Sequence, residues 1–172
     1  MLDTLREKIR IVPDFPKEGI AFKDITPLLA SPDAFHVMIS SFADRYAGQG
    51  VDQVVGIEAR GFVLAAALAY RLKTGLTMVR KSGKLPAETL KASYELEYGV
   101  DQLEIHRDAF APGSRVVLVD DVLATGGTIC ATLNLLQGLQ CKVVEVAVLI
   151  ELCALNGRER LQSHQVFSLI QD

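Results

Sequence analysis

Val116-Val117-Leu118-Val119-Asp120-Asp121-Val122-Leu123-Ala124-Thr125-Gly126-Gly127-Thr128, with the apolar run from Ile129 to Leu139 behind it, decides how the rest of this chain is read. Consecutive apolar, mostly β-branched residues from Val116 to Val119 predict a strand buried on both faces, as in a parallel sheet covered by helices. The strand is expected to end at the two acids. A turn of small residues follows, and Thr128 stands at the expected N-cap of a helix whose apolar positions include Ile129, Leu133, Leu136 and Leu139. Such a loop turns several backbone N–H groups outward, with the positive end of the helix dipole behind them, and so makes a phosphate cradle. It has neither the lysine of G-x-x-x-x-G-K-[ST] nor the spacing of G-x-G-x-x-G, so neither a nucleotide triphosphatase nor a dinucleotide fold is indicated. Two carboxylates beside the cradle would repel an anion unless the ligand brings hydroxyl donors or Mg²⁺, and a phosphorylated sugar satisfies both halves. As a bare pattern, acids at a strand end before a glycine turn also occur in many unrelated α/β proteins.

As a complete string, Val119 to Thr128 is far more specific. It closely resembles the phosphoribosyl pyrophosphate motif of type I phosphoribosyltransferases, and its leucine–alanine version is similar to that of the family's adenine-using members. The resemblance implies that Asp120 and Asp121 fix the ribose. It implies also that Ala124, Thr125, Gly126, Gly127 and Thr128 hold the 5′-phosphate.

Composition agrees with one enzyme domain. At 172 residues, 49% of them apolar, the chain can bury one sizeable core but not two comfortable ones. A net charge of −3 argues against a general nucleic-acid surface. Cys130, Cys141 and Cys153 form no C-x-x-C and read as reduced, mostly buried thiols. The charged start, Met1 to Lys8, cannot be a secretory h-region, and no apolar run reaches spanning length, so a cytoplasmic protein without membrane contact is expected.

Leu2, Leu5, Ile9 and Val12 recur at helical spacing up to Pro13 and predict a short opening helix. Residues 14–27 are too broken by Pro and Gly for a long element, yet carry Phe15 and Phe22. These rings either stack on something flat or anchor the segment to the core, and the second is the commoner use of such residues. The segment is similar to the family's hood, which implies that Phe22 stacks on the base while backbone near Ala21 reads its edge. The family commonly carries arginine where this chain has Lys23, a further adenine-side candidate.

Ser31-Pro32-Asp33 predicts an N-cap with Pro at N1, opening a packing helix through Phe35, Met38, Ile39, Phe42 and Tyr46. The strand expected over 52–57 runs into Glu58-Ala59-Arg60-Gly61, and residues 62–72, apolar almost all round, predict a buried helix. A lone Arg at a strand end is usually a surface charge. Glu58 to Phe62, however, resembles the family's pyrophosphate loop, which implies that Glu58, Ala59 and Arg60 bind pyrophosphate through strained backbone with a cis Glu58–Ala59 peptide. The third strand, 76–79, meets Arg80-Lys81-Ser82-Gly83-Lys84, cations that suit a polyanion in an otherwise acidic chain. In the family the matching residues bind pyrophosphate, and the equivalent of Arg80 reaches across a dimer.

From Lys81 to His106 there is no helical period. Alternation of Ala92, Tyr94, Leu96 and Tyr98 with Ser93, Glu95 and Glu97, then Leu103 and Ile105, predicts a hairpin lid, mobile before ligands bind. Its Tyr94 to Gly99 resembles the family's catalytic loop, implying acid or base work for Glu97 with Tyr98 beside it. Read from the residues alone, it is equally a solvated edge hairpin. A further buried strand over 143–150 ends at Glu151-Leu152, where ligands sit in open α/β sheets, and Leu152 matches the family position closing the base's other face. A last strand is expected over 166–170.

The expected molecule is a single α/β domain over 1–172, type I phosphoribosyltransferase-like. It has a mostly parallel central sheet flanked by helices, an N-terminal hood over about residues 1–30 and a lid over 81–106. The resemblance implies transfer of phosphoribosyl from phosphoribosyl pyrophosphate to adenine, giving AMP and pyrophosphate. It also implies Mg²⁺ carried mainly by substrate rather than by dedicated protein ligands, and a homodimer with Arg80 near the partner's site. Two alternatives stand: transfer to another base, which needs an oxo-group donor the hood does not offer, and a phosphoribosyl pyrophosphate-sensing regulator of the same fold.

Overall fold

The computed structural model describes residues 2–96 and 99–172. After α1 (Leu2–Arg6) come β1 (Arg10–Val12), β2 (Phe22–Asp24), α2 (Thr26–Leu29), α3 (Pro32–Tyr46), β3 (Gln53–Ile57), α4 (Gly61–Leu72) and β4 (Gly75–Lys81). Then follow β5 (Thr89–Leu96), β6 (Gly99–His106), β7 (Arg115–Leu123), α5 (Gly127–Gly138), β8 (Lys142–Glu151), 3-10 turns over Cys153–Leu155 and Gly157–Leu161, and β9 (Val166–Gln171). Among the described residues one seven-stranded sheet has the order β5-β6-β4-β3-β7-β8-β9, and β1 and β2 form a separate ribbon. The central pairs β3/β4, β3/β7, β7/β8 and β8/β9 are parallel, while β5 and β6 are antiparallel additions at one edge.

The unbroken apolar runs have a simple cause. Neighbouring strand residues face different cores: Val54, Val117 and Ala147 pack with α3 and α4, whereas Val55, Leu118 and Val148 pack with α5 and the β5/β6 hairpin. Each buried Val or Leu is worth about 1.5–3 kcal/mol relative to exposure, so a strand covered on both faces gains at every position and has no reason to alternate.

Several expectations are corrected. The opening helix stops at Arg6, and Ile9 is followed by a strand, because Ile11 and Val12 pair with Lys23 and Phe22. β4 runs through Arg80 and Lys81, which pair with Glu104 and Leu103 of β6. β7 likewise continues through both acids to Leu123, with β8 as its partner. Gly126, not Thr128, is the N-cap of α5; its φ of +83° suits glycine, and the helix starts one residue before Thr128. The α4 helix is not buried all round, since Val63, Ala66 and Tyr70 are exposed, Tyr70 by 85%. The cysteines are free but not mostly buried: Cys153 is exposed and the others half-buried. Ser31 and Pro32 do open α3 as expected, although the Ser31 side chain makes no cap bond.

Glu145 is a buried charge inside the apolar run of β8. A register shift at Val116/Val117 brings it opposite Val117, and Arg45 grips it with Nε at 2.5 Å and Nη2 at 2.7 Å while the Tyr46 hydroxyl donates at 2.8 Å. Burial opposes its ionisation, but the Arg45 and Tyr46 bonds outweigh burial and hold the carboxyl below its usual range. Glu145→Gln should therefore lower stability by about 1–3 kcal/mol at neutral pH. The loss should shrink as pH falls past the ordinary value of 4.5, because a carboxylate held low stabilises the fold only where the unfolded chain is ionised. Denaturation midpoints of parent and variant at neutral and acid pH check this; a gap independent of pH overturns it.

Candidate active site

The order of strands creates the site. From β3 the chain passes through α4 to β4 on one side, while β7 lies on the other side of β3 and leads through α5 to β8. Ligands bind at such a reversal, outside the C-terminal strand ends. A cavity of about 350 Å³ opens there, and its lining includes Ala21, Phe22, Lys23, Glu58, Ala59, Arg60, Lys81, Asp120, Asp121, Ala124, Thr128 and Leu152.

Arg60 ties its walls together. From the N-cap of α4 its Nε lies 2.8 Å from Asp121 Oδ2, its Nη1 donates to the Lys23 carbonyl at 3.2 Å, and its guanidinium sits 4.6 Å above the Phe22 ring. The ring is further held by an edge contact with Phe15 at 5.1 Å between centroids. Phe15 supports Phe22, and Phe22 lines the cavity; neither ring packs on a core cluster of the described residues and Phe15 is 51% exposed, so they do not serve as core anchors. The Lys23 side chain turns to an ion pair with Asp172, so what it presents to Arg60 is backbone.

Asp120 and Asp121 are buried side by side, with the Asp121 amide donating to Asp120 Oδ1 at 2.9 Å. Burial, and then the neighbouring Asp121 charge, push the Asp120 carboxyl well above its usual range. Burial raises Asp121 too, against the pull of Arg60. Asp121 Oδ2 touches Arg60 yet receives no aligned hydrogen bond from the described residues. A buried acceptor in that state is set for a donor from outside.

Glu58, joined to Ala59 by a cis peptide, accepts from the Lys81 amide at 2.9 Å and from Arg80 Nε at 3.3 Å. Burial opposes its ionisation, but these bonds hold its carboxyl below the usual range. Arg80 also donates to the Lys84 carbonyl, and neither Arg80 nor Lys84 lines the cavity in this arrangement. Lys81 does, paired with Asp101 at 3.2 Å.

Thr125 and Gly126 lie in the turn that enters α5 and Gly127 is the first residue of the helix; these three do not line the cavity, whereas Ala124 and Thr128 on either side of them do. Tyr94 of β5 reaches the same wall, its hydroxyl 3.1 Å from Asp101. The hairpin root belongs to the sheet: Leu103 and Ile105 are buried, and Leu90, Ala92 and Tyr94 pack on the α5 cluster. Glu97 and Tyr98 lie outside the described residues.

Residue reading missed Tyr94 as a cavity residue, since alternation in a hairpin does not say which face meets a ligand. It missed Gly157 as well. A Cβ there would stand 2.1 Å from the Ala124 carbonyl, and only the fold reveals that approach.

Sequence comparison matches residues 28–171 to the phosphoribosyl transferase domain. The chain belongs to the phosphoribosyltransferase family, with the type I fold. Its relatives are adenine phosphoribosyltransferases: that of Syntrophotalea carbinolica is 58% identical over 170 residues, 99% of either chain. The crystal structure of the Thermoanaerobacter pseudethanolicus adenine phosphoribosyltransferase is 50% identical, covers 100% of both chains and superposes with a TM-score of 0.97. The Saccharomyces cerevisiae one, complexed with D-2,5-dideoxy-2,5-imino-altritol 1,6-bisphosphate and adenine, is 39% identical over 98% of this chain and 97% of its own, with a TM-score of 0.93.

The first turn of α4 reaches the acids because Gly61 has no side chain: a Cβ would lie 2.8 Å from Asp120 Oδ1 and 3.0 Å from the Val119 carbonyl. Gly61→Ala should cost about 1–3 kcal/mol through this overlap. Urea denaturation checks it; a midpoint equal to that of the parent would show that the two elements are not in such close contact.

Proposed function

We propose that this chain transfers the 5-phosphoribosyl group from phosphoribosyl pyrophosphate to adenine, releasing AMP and pyrophosphate. One observation carries the reading: a single cavity joins an aromatic hood, an arginine loop, paired buried acids and the two ends, Ala124 and Thr128, of a glycine turn at a helix N-terminus.

The 5′-phosphate rests on the backbone of Ala124 to Thr128 at the α5 N-terminus. Asp120 and Asp121 accept from the ribose hydroxyls, and Asp121 Oδ2 is the oxygen still lacking a hydrogen bond. Arg60, with Lys81, Arg80 and Lys84, faces pyrophosphate once its contacts to Asp121 and Phe22 give way to ligand. Phe22 and Leu152 cover the two faces of the base, and backbone of the hood near Ala21 reads its edge. The C1–oxygen bond to pyrophosphate breaks as a ring nitrogen of adenine bonds to C1, and the nitrogen's proton leaves to Glu97, with Tyr98 beside it. Developing positive charge at C1 needs shelter from water, and closure of the hairpin lid over 81–106 supplies it.

Mg²⁺ neutralises the leaving pyrophosphate when bound. Among the described residues no three His, Cys, Asp or Glu side chains gather to hold a metal alone, whereas Asp120 and Asp121 are hard oxygen donors suited to a cation that keeps substrate oxygens and water as its other ligands.

Incubation with phosphoribosyl pyrophosphate, Mg²⁺ and adenine, hypoxanthine, guanine or orotate in turn, with pyrophosphate and nucleotide measured, tests the reading. Adenine should be preferred by about a thousandfold or more, because an oxo group would face an acceptor where adenine presents its amino donor. Comparable use of hypoxanthine overturns base choice, and no turnover with any base favours a sensor.

A homodimer is part of the same proposal. Val63, Ala66 and Tyr70 form an exposed apolar stripe on α4. Leu76 and Met78, also exposed, share its side of the sheet, because they pair with Val54 and Gly56, which lie beneath α4. Arg80 follows two residues on along β4, at the edge of this patch. An exposed apolar patch of this kind fits a second copy of the chain, the partner that brings Arg80 toward another site. Tyr70→Asp should halve the mass measured by light scattering; an unchanged mass removes this face from the interface.

A further inference from the structure

We infer that Arg158 and Glu151 are positioning residues for the phosphate cradle, acting through Gly157; this rests on the reading that Ala124 to Thr128 hold the 5′-phosphate. The cradle is a short loop, and a loop holds a fixed curvature only if something stands behind it. Here the support is bare backbone. A Cβ on Gly157 would lie 2.1 Å from the Ala124 carbonyl and 3.0 Å from Leu123 Cδ1, and one on Gly126 would lie 2.9 Å from the Gly157 carbonyl. The two glycines let the loop and the Gly157–Leu161 turn touch with no side chain between them.

The turn is held from its far side. Arg158 sends Nε to Glu151 Oε1 at 2.7 Å and Nη2 to Oε2 at 2.5 Å, then Nη1 to the Val166 carbonyl at 2.8 Å and Nη2 to Ser168 Oγ at 3.1 Å. Glu151 is 4% exposed and also accepts from Ser168 Oγ at 2.6 Å. Such a two-pronged pair fixes direction as well as distance, which a lysine cannot do. Leu161, 1% exposed, anchors the end of the turn, and Arg160 Nη1 reaches the Thr125 carbonyl at 3.4 Å. Glu151 also ends β8 immediately before Leu152, whose amide donates to the Leu123 carbonyl at 2.9 Å. One ion pair thus lies at the root of two cavity walls.

Full removal of Arg158 would strand a buried carboxylate and endanger folding. Arg158→Lys keeps the charge and loses the fork, and Glu151→Gln combined with Arg158→Gln keeps a hydrogen-bonded pair without charge. Calorimetry with ribose 5-phosphate and, separately, Mg²⁺-pyrophosphate reads the outcome. In both variants ribose 5-phosphate affinity should fall about tenfold or more while pyrophosphate affinity stays within about twofold, since a displacement far smaller than unfolding is enough to spoil a preorganised site. Equal loss of both ligands, or loss of neither in a folded variant, overturns the proposal. Gly126→Ala, which obstructs the cradle itself, separates the two readings. Ribose 5-phosphate affinity unchanged in Gly126→Ala overturns the cradle, and affinity lost there but kept in Arg158→Lys overturns only the support by Arg158.

Discussion

Two adjacent carboxylates inside a sheet strand are the constraint on which the rest of this structure depends. Burying Asp120 and Asp121 is costly, and the cost is contained because Arg60 stands against Asp121 and the Asp121 amide serves Asp120. That arrangement dictates much of what surrounds it. Arg60 must begin a helix that starts beside β7, the next residue must be glycine to permit the approach, and β3 must lie next to β7 to deliver both. The arginine then carries the hood with it through the Lys23 carbonyl and the Phe22 ring.

The same contacts brace the site from within. Arg60 covers the acid and the aromatic face that the proposed substrates need, so their binding exchanges one set of partners for another instead of exposing an unpaired charge. The remaining walls are braced by contacts within the protein. Phe15 supports Phe22, Glu58 secures β4 through the Lys81 amide, and Gly157 backs the glycine turn. Placing the reactive groups on strand ends and supporting them from behind gives the geometric precision that transition-state stabilisation requires.

Periodicity and motif chemistry alone determined the α/β class, the positions of the buried strands, the glycine turn before a helix N-terminus and the acids beside it. These are local signals: β-branched runs fill doubly covered strands, and small residues free backbone N–H groups whatever the rest of the chain does. The hairpin over β5 and β6 was legible for the same reason, from alternation at Ala92, Tyr94, Leu103 and Ile105. Tertiary structure decided what depends on partners distant in the chain. β7 extends through Asp120 and Asp121 because β8 pairs with it, Ile11 and Val12 become a strand because β2 lies opposite, and the hairpin root is core because α5 covers it. Glu145 reads as an interruption in an apolar run until Arg45 and Tyr46, a hundred positions earlier, are seen to hold it. Arg158 reaches Glu151 only seven positions back, yet the fork forms because a turn folds the chain onto the end of β8, and the backbone approach of Gly157 to Ala124 exists only once β7 and β8 lie side by side.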